Sequence, residues 1–185
     1  MKTSAEGRQL IELFEGCEKA VSGKPGEFTT YHDSVGVLTL GYGHTNLGNI
    51  PPVIRPGDVW TQAQCDEALS NDLSVFETAV IKALAPFVPS QWQFDALVSF
   101  DFNTGSLAKS SIPRRLQHGD ITGAMAVLLE YNHAGGEILA GLTRRRRAER
   151  LMFLGETEAA LVLAGAQLAT ASPMAKAATK VTINA

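Results

Sequence analysis

The chain has 185 residues, 45% of them hydrophobic and 19% charged, with a formal net charge of −3. That length suits one domain, or one domain grown in two lobes, followed by a tail, and the composition is that of a folded chain rather than a disordered one. A slightly acidic chain exerts no general pull on nucleic acid or acidic lipid, so nucleic acid is not expected as a partner and any anion site must be local.

The N-terminal stretch "MKTSAEGRQLIELFEG" lacks the apolar core of a signal peptide. Thr3-Ser-Ala-Glu6 is a capping box, and Leu10, Ile11, Phe14 and Cys17 follow at helical spacing, which predicts a helix over about residues 4–16. Glu15 then falls in its last turn, where the negative helix end disfavours a carboxylate. Cys17 and Cys65 make no disulfide framework and read as two buried free thiols. No C-x-x-C or His-rich run points to a metal. Ser22–Glu27 is a Gly- and Pro-containing loop, and Phe28–Tyr42 is strand-like with Asp33–Gly36 as its turn. Leu47–Trp60 is Pro-rich and irregular.

From Thr61 the pattern is helical. Thr61-x-x-Gln64 opens a long helix ending near Ala85-Pro86, and Ser90-x-x-Gln93 opens another that runs to Gly105. Ser111-Ile-Pro113 starts a short helix ending near Gly119, Asp120 one through Tyr131, and Thr143 one through Phe153 to Gly155. The Ala-rich remainder reads as one more helix to about Gln167 and then a linker or terminus, and its longest apolar run, Ala159–Ala169, is too short to span a membrane. The expected architecture is α+β: a small N-terminal β-hairpin lobe joined by a long helix to a mainly helical lobe, with a site in the cleft between them.

Single residues have plain explanations. Asp33 suits the first position of a turn, Thr39 a solvent-facing strand, Glu15 a helix surface, and His44 a structural bond to a carboxylate such as Asp58 or Asp72. Glu15 and Asp33 also suit glycoside hydrolysis, which pairs a carboxyl that gives a proton to the leaving oxygen with an ionised carboxylate that activates water. The negative helix end favours a proton on Glu15, and a turn with free amides favours ionised Asp33.

"FEG…TYHDSVGVLTLGYGHTN" resembles the phage-type lysozymes, the endolysins of glycoside hydrolase family 24. Their pattern is Glu-Gly at the end of the first helix, Tyr-x-Asp, five residues, then Thr-[hydrophobic]-Gly-x-Gly-His. It is met by Glu15-Gly16, Tyr31-x-Asp33 and Thr39 to His44. "QWQFDALVSFDFNTG", "SSIPRRLQHGD" and "YNHAGGEILAGLTRRRRAERLMFL" are similar to its later segments in the family order. The resemblance covers about residues 5–155, making 1–155 a lysozyme-like catalytic domain and 156–185 an Ala-rich tail. It implies Glu15 as general acid, Asp33 as second carboxylate and Thr39 as the residue placing water or substrate. It also implies glycan contacts at Phe102, Asn103 and Ser111, whose plain readings are a core aromatic, a helix C-cap and an N-cap. The substrate implied is the β-1,4 bond between N-acetylmuramic acid and N-acetylglucosamine in bacterial peptidoglycan, cleaved with inversion by a monomer that uses no metal or cofactor. An enzyme of this type lacking a signal accumulates in the host cytoplasm and reaches the wall once the membrane is breached; a longer secreted or anchored form is the other expectation.

The family pattern separates its Glu and Asp by nine residues, whereas Glu15 and Asp33 are eighteen apart, the excess falling most simply on residues 21–29. A flexible loop absorbs such length for roughly 0.6 kcal/mol per doubling. The lengthened connection carries Glu18 and Glu27 as rival acids, neither with the Glu-Gly context of Glu15. Four successive arginines, Arg144–Arg147, point four ways around a helix, so at most two face the cleft, with Arg146 favoured as partner of the acid. Two rival functions are a non-catalytic peptidoglycan-binding module, should the longer connection spoil the geometry, and a lytic transglycosylase, which needs the acid but no activated water.

Overall fold

The structure is a computed structural model and describes residues 1–167. Helix α1 (Ala5–Glu15) leads into a small lobe of five short strands, β1 (Glu27–Thr29), β2 (Tyr31–His32), β3 (Leu38–Leu40), β4 (His44–Thr45) and β5 (Val59–Thr61). Helix α2 (Gln62–Leu84) carries the chain into a helical lobe of α3 (Gln91–Thr104), α4 (Ile112–Gln117), α5 (Ile121–Glu130), α6 (Ala140–Phe153) and α7 (Thr157–Ala164). A short hairpin, β6 (His133–Ala134) with β7 (Glu137–Ile138), precedes α6. This is the expected α+β arrangement. No helix among the described residues is long and apolar enough to cross a membrane.

Helix starts follow local chemistry. The two boxes at Thr61/Gln64 and Ser90/Gln93 form as expected, each side chain satisfying a backbone N–H of the other residue. At α1 the cap is Ser4, not Thr3: Ser4 Oγ accepts from the Gly7 amide, while Thr3 donates its amide and hydroxyl to Glu77 of α2. Helix α6 begins three residues before Thr143, whose hydroxyl bonds back to the Leu139 carbonyl instead of capping. The hairpin before it was signalled only by Gly135-Gly136, a two-residue turn flanked by strands too short to show alternation.

Helix α3 is the hub of the helical lobe. Residues Phe94 to Asp101 are all buried, so this helix is covered on every side by α1, α2 and α6. Ala160 and Ala164 of α7 are buried against α1 and α6, so the folded body runs on through α7 rather than stopping at Gly155. Small side chains let that last helix approach closely. Of the tail expected at 156–185, residues 168–185 lie outside the described residues.

The small lobe has its own core of Phe28, Leu40, Ile54, Trp60, Cys65 and Ala68. The extra segment belongs to it rather than forming a free loop. Strand β1 pairs with β5, setting Phe28 opposite Trp60, and Ala20 bridges to Phe28. Phe28 is thereby a core side chain contributed by the excess residues. Cys65 is buried but Cys17 only half-buried, against the expectation of two buried thiols; they remain free. Hydrogen bonding between the two thiols pushes Cys17 up and Cys65 down.

Strands β2, β3 and β4 form an antiparallel sheet with Tyr31 opposite Thr39 and Leu40 opposite His44. His44 locks this sheet to α2. It is 2% exposed, with Nδ1 3.0 Å from both Asp72 oxygens and Nε2 2.8 Å from the Pro52 carbonyl. Both ring nitrogens therefore face acceptors, which suits the imidazolium. Burial opposes its charge, but the bonds to Asp72 and Pro52 outweigh burial and hold the ring above the ordinary histidine range. A value raised on folding means the stabilisation is complete below the unfolded value of about 6.5 and is lost as pH rises through the folded one. His44→Asn should therefore cost about 2 kcal/mol in denaturant unfolding near pH 5.5, the gap narrowing as pH climbs. A gap that widened with pH would contradict the charged pair.

Candidate active site

A cleft of about 330 Å³ opens between the lobes. Glu15 enters it from the end of α1, Tyr42, Gly43 and Thr45 from the β3–β4 hairpin, Leu47 and Ile50 from the following loop, Asp72 and Phe76 from α2, and Phe102 and Asn103 from α3. Thus Glu15, Phe102 and Asn103 share one cavity. Asp33 and Thr39 lie on the neighbouring hairpin, outside that lining, and Ser111 stands at the start of α4, also outside it.

Glu15 is the last residue of α1 because Gly16 leaves the helix at a positive φ (64°) that favours glycine. Its Oε1 accepts from Arg145 Nη1 at 2.5 Å, and its side chain is 24% exposed. Among the described residues Oε2 takes no protein hydrogen bond, so it is free for the cleft. The partner is Arg145 and not Arg146 as expected from sequence. Helical geometry decides this: Arg145 and Arg146 turn inward while Arg144 and Arg147 stay exposed.

Beneath Glu15 lies a buried charge cluster that composition does not advertise. Glu149 is fully buried and accepts from Ser99 Oγ (2.8 Å), Arg145 Nε (3.2 Å) and Arg146 Nη2 (2.9 Å). Arg146 Nε stands 2.8 Å from Glu149 Oε2 but is poorly aligned, so that contact is ionic rather than a hydrogen bond. Burial pushes the Glu149 carboxyl up and the Arg146 guanidinium down, and each charge opposes the other's loss. Arg145 also donates to the Ser99 carbonyl at 3.3 Å and lies over Phe14. Its guanidinium is thus aimed before it meets Glu15, and Glu149 counters its charge. Arg146 donates to Asn103 Oδ1 at 2.9 Å, fixing that amide at the cleft edge. The available signal was Glu149 itself, three and four residues beyond the two inward arginines.

Asp33 forms the turn foreseen for it. Its Oδ1 accepts from the amides of Val35 (3.0 Å) and Val37 (2.8 Å), while Oδ2 is left without a protein bond among the described residues. Thr39 is 3% exposed rather than solvent-facing, and its hydroxyl donates to the Val37 carbonyl at 3.0 Å, leaving its oxygen able to accept from water. Between them Tyr31 is pushed up by burial and then by Glu18, Asp33 and Glu15, so the hairpin carboxylate and the helix-end carboxyl act on one phenol. The rival Glu27 pairs with Lys24 at 3.3 Å on the β1–β5 sheet and does not line the cleft. Phe102 packs edge-on against Phe76 with ring centres 5.1 Å apart, so it is both core and wall. Ser111 gives no cap bond; its hydroxyl accepts from Arg115 Nε at 3.4 Å.

Residues 14–149 match the family model described as phage lysozyme. The chain is 32% identical over 153 residues to the endolysin of Lactococcus phage c2, covering 83% of this chain and 60% of that protein. It is 34% identical over 159 residues to the endolysin of Acyrthosiphon pisum secondary endosymbiont phage 1, covering 83% of this chain and 98% of that one. Among solved structures, the muramidase domain of SpmX from Asticaccaulis excentricus superposes with a TM-score of 0.69 at 31% identity, covering 83% of this chain and 97% of that one. The chain spans only about 55–60% of the length of several curated relatives it matches.

Proposed function

The chain belongs to the phage lysozyme family, and from that premise we propose that it hydrolyses the β-1,4 bond between N-acetylmuramic acid and N-acetylglucosamine in bacterial peptidoglycan. The observation that carries this reading is Glu15: a carboxyl at a helix end, in an interlobe cleft, bonded through one oxygen to an aimed arginine and open on the other. The similarity to a domain described as a muramidase supports it.

Protonated Glu15 gives its proton from Oε2 to the leaving glycosidic oxygen. Arg145 orients the carboxyl by holding Oε1 through Nη1, while its Nε is held by Glu149. Asp33 takes the proton of the attacking water, its Oδ1 tied into the turn and Oδ2 available. Thr39 orients that water through its oxygen. Attack from the face opposite the leaving group inverts the anomeric centre, a reaction for which inverting enzymes in general hold their carboxyls ~6.5–9.5 Å apart.

Digestion of purified peptidoglycan should release fragments ending in reducible N-acetylmuramic acid, with the α-anomer appearing first by NMR. Products ending in 1,6-anhydro sugar would make the protein a lytic transglycosylase. Co-sedimentation with the wall without new reducing ends would make it a binding module.

A further inference from the structure

A second cavity, of about 500 Å³, opens where α1, α7 and the start of α3 meet, and it shares no lining residue with the interlobe cleft. Ala160 and Ala164 of α7 are buried against the body. Glu158, Leu161 and Val162, spaced three and four apart, form a separate stripe of the same helix and line the cavity. Trp92, at the start of α3, and Glu6, on α1, line it too. Scattered exposed apolar residues are ordinary. Here Trp92 is 38% exposed, Val162 41% exposed and Leu161 half-buried, all on one concave surface, which calls for an occupant. The charges of that lining are Glu6 and Glu158, with no Lys, Arg or His.

The chain itself leads into this groove, because Ala166 and Gln167 line it and Leu168 follows. Residues 168–185 read "LATASPMAKAATKVTINA". They hold Lys176 and Lys180 and no Asp or Glu, with Leu168, Met174, Val181 and Ile183 as larger apolar side chains. Charge and polarity therefore complement the groove. Lys176 is nine residues beyond Gln167, a reach of up to ~30 Å, whereas α7 is only ~12 Å long, so Glu158 at its far end is within range. Attachment gives the segment an effective concentration on the order of millimolar, which lets a modest contact suffice. A separate partner or a second copy would have to supply that concentration in solution.

We propose that the groove between α1 and α7 is a docking site for residues 168–185 of the same chain, with the two lysines meeting Glu6 and Glu158 and apolar side chains covering Trp92, Leu161 and Val162. The segment thus acts as a clasp across the first and last helices of the folded body.

The test uses the full chain with a benzophenone amino acid replacing Gln9, an exposed position on the groove wall. Irradiation should form cross-links within one chain, and mass spectrometry should place them in residues 168–185. Lys176→Glu combined with Lys180→Glu leaves every groove residue in place and should lower the docked-to-undocked ratio read from that yield by about tenfold. Adding Glu6→Lys and Glu158→Lys to the same chain restores opposite signs and should recover the yield. Acrylamide quenching of Trp92 reports docking without a cross-linker, since the other tryptophan, Trp60, is 8% exposed. Quenching should rise in the lysine-reversed chain and at high salt, and fall again in the charge-swapped chain. Cross-links joining two chains would overturn the proposal and assign the groove to a second copy. Cross-links confined to residues 1–167, or a yield that charge reversal leaves unchanged, would overturn it as well.

Discussion

Glu15→Gln should reduce clearing of a cell-wall suspension by about 10²–10⁴-fold while leaving the unfolding transition close to that of the parent. Glutamine keeps an oxygen that accepts from Arg145, so the buried cluster below retains its upper partner. What is lost is the proton on the other oxygen. The comparison with Glu27→Gln is informative because both changes remove one charge from the small-lobe side of the chain. Glu27 is paired with Lys24 on a strand that contributes nothing to the cleft lining, so its variant should clear the suspension within about twofold of the parent. Equal clearing by the parent and Glu15→Gln would remove Glu15 from the chemistry.

The largest loss of stability is expected at Glu149. This carboxylate is 0% exposed and holds Ser99, Arg145 and Arg146 at once. Truncation to alanine leaves Arg146, also 0% exposed, without a countercharge, and leaves a cavity beside Ser99. A broken buried pair costs about 3–5 kcal/mol, which for a domain of this size lowers Tm by roughly 10 °C. Arg147→Ala, on the exposed face of the same helix, should stay within about 0.5 kcal/mol in the same denaturant titration. A loss below ~1 kcal/mol for Glu149→Ala would mean that the cluster is not paired as described. The same variant should also slow wall lysis, because Arg145 then loses the acceptor that aims it at Glu15.

These two positions show how unevenly the site was legible. Glu15 stood out locally, since a glutamate before a helix-ending glycine is electrostatically misplaced and so invites a reason. Asp33 was legible as a turn residue, and that reading holds, because the same two amide bonds that make it a turn residue also fix the carboxylate's orientation. Arg145 was not legible. The four arginines are chemically identical in sequence, and choosing between neighbours needs the rotation of α6 about its own axis, which depends on how it packs against α3 and α7. The loop at Ser22–Glu27 and the strand-like stretch from Phe28 stand, but the reading of the excess residues 21–29 as length absorbed by a flexible loop failed for a related reason. Their turn residues are real, but Phe28 finds its place only through β5, some thirty residues away. Strands of two or three residues carry too few side chains to reveal a period.

By itself the sequence determined what adjacent residues can settle. It determined the capped starts of α2 and α3, the glycine at which α1 ends, the turn at Asp33, and an ordered set of motifs that identifies the family. Only the tertiary structure decided which arginine meets the acid, which carboxylate His44 holds, that a glutamate lies paired with two arginines beneath the acid, and that the excess segment is part of a core. The division has one physical cause. Caps and turns are set by bonds spanning three or four residues, whereas the identity of a buried partner is set by which faces of separate elements are pressed together, and burial makes each mismatched choice costly.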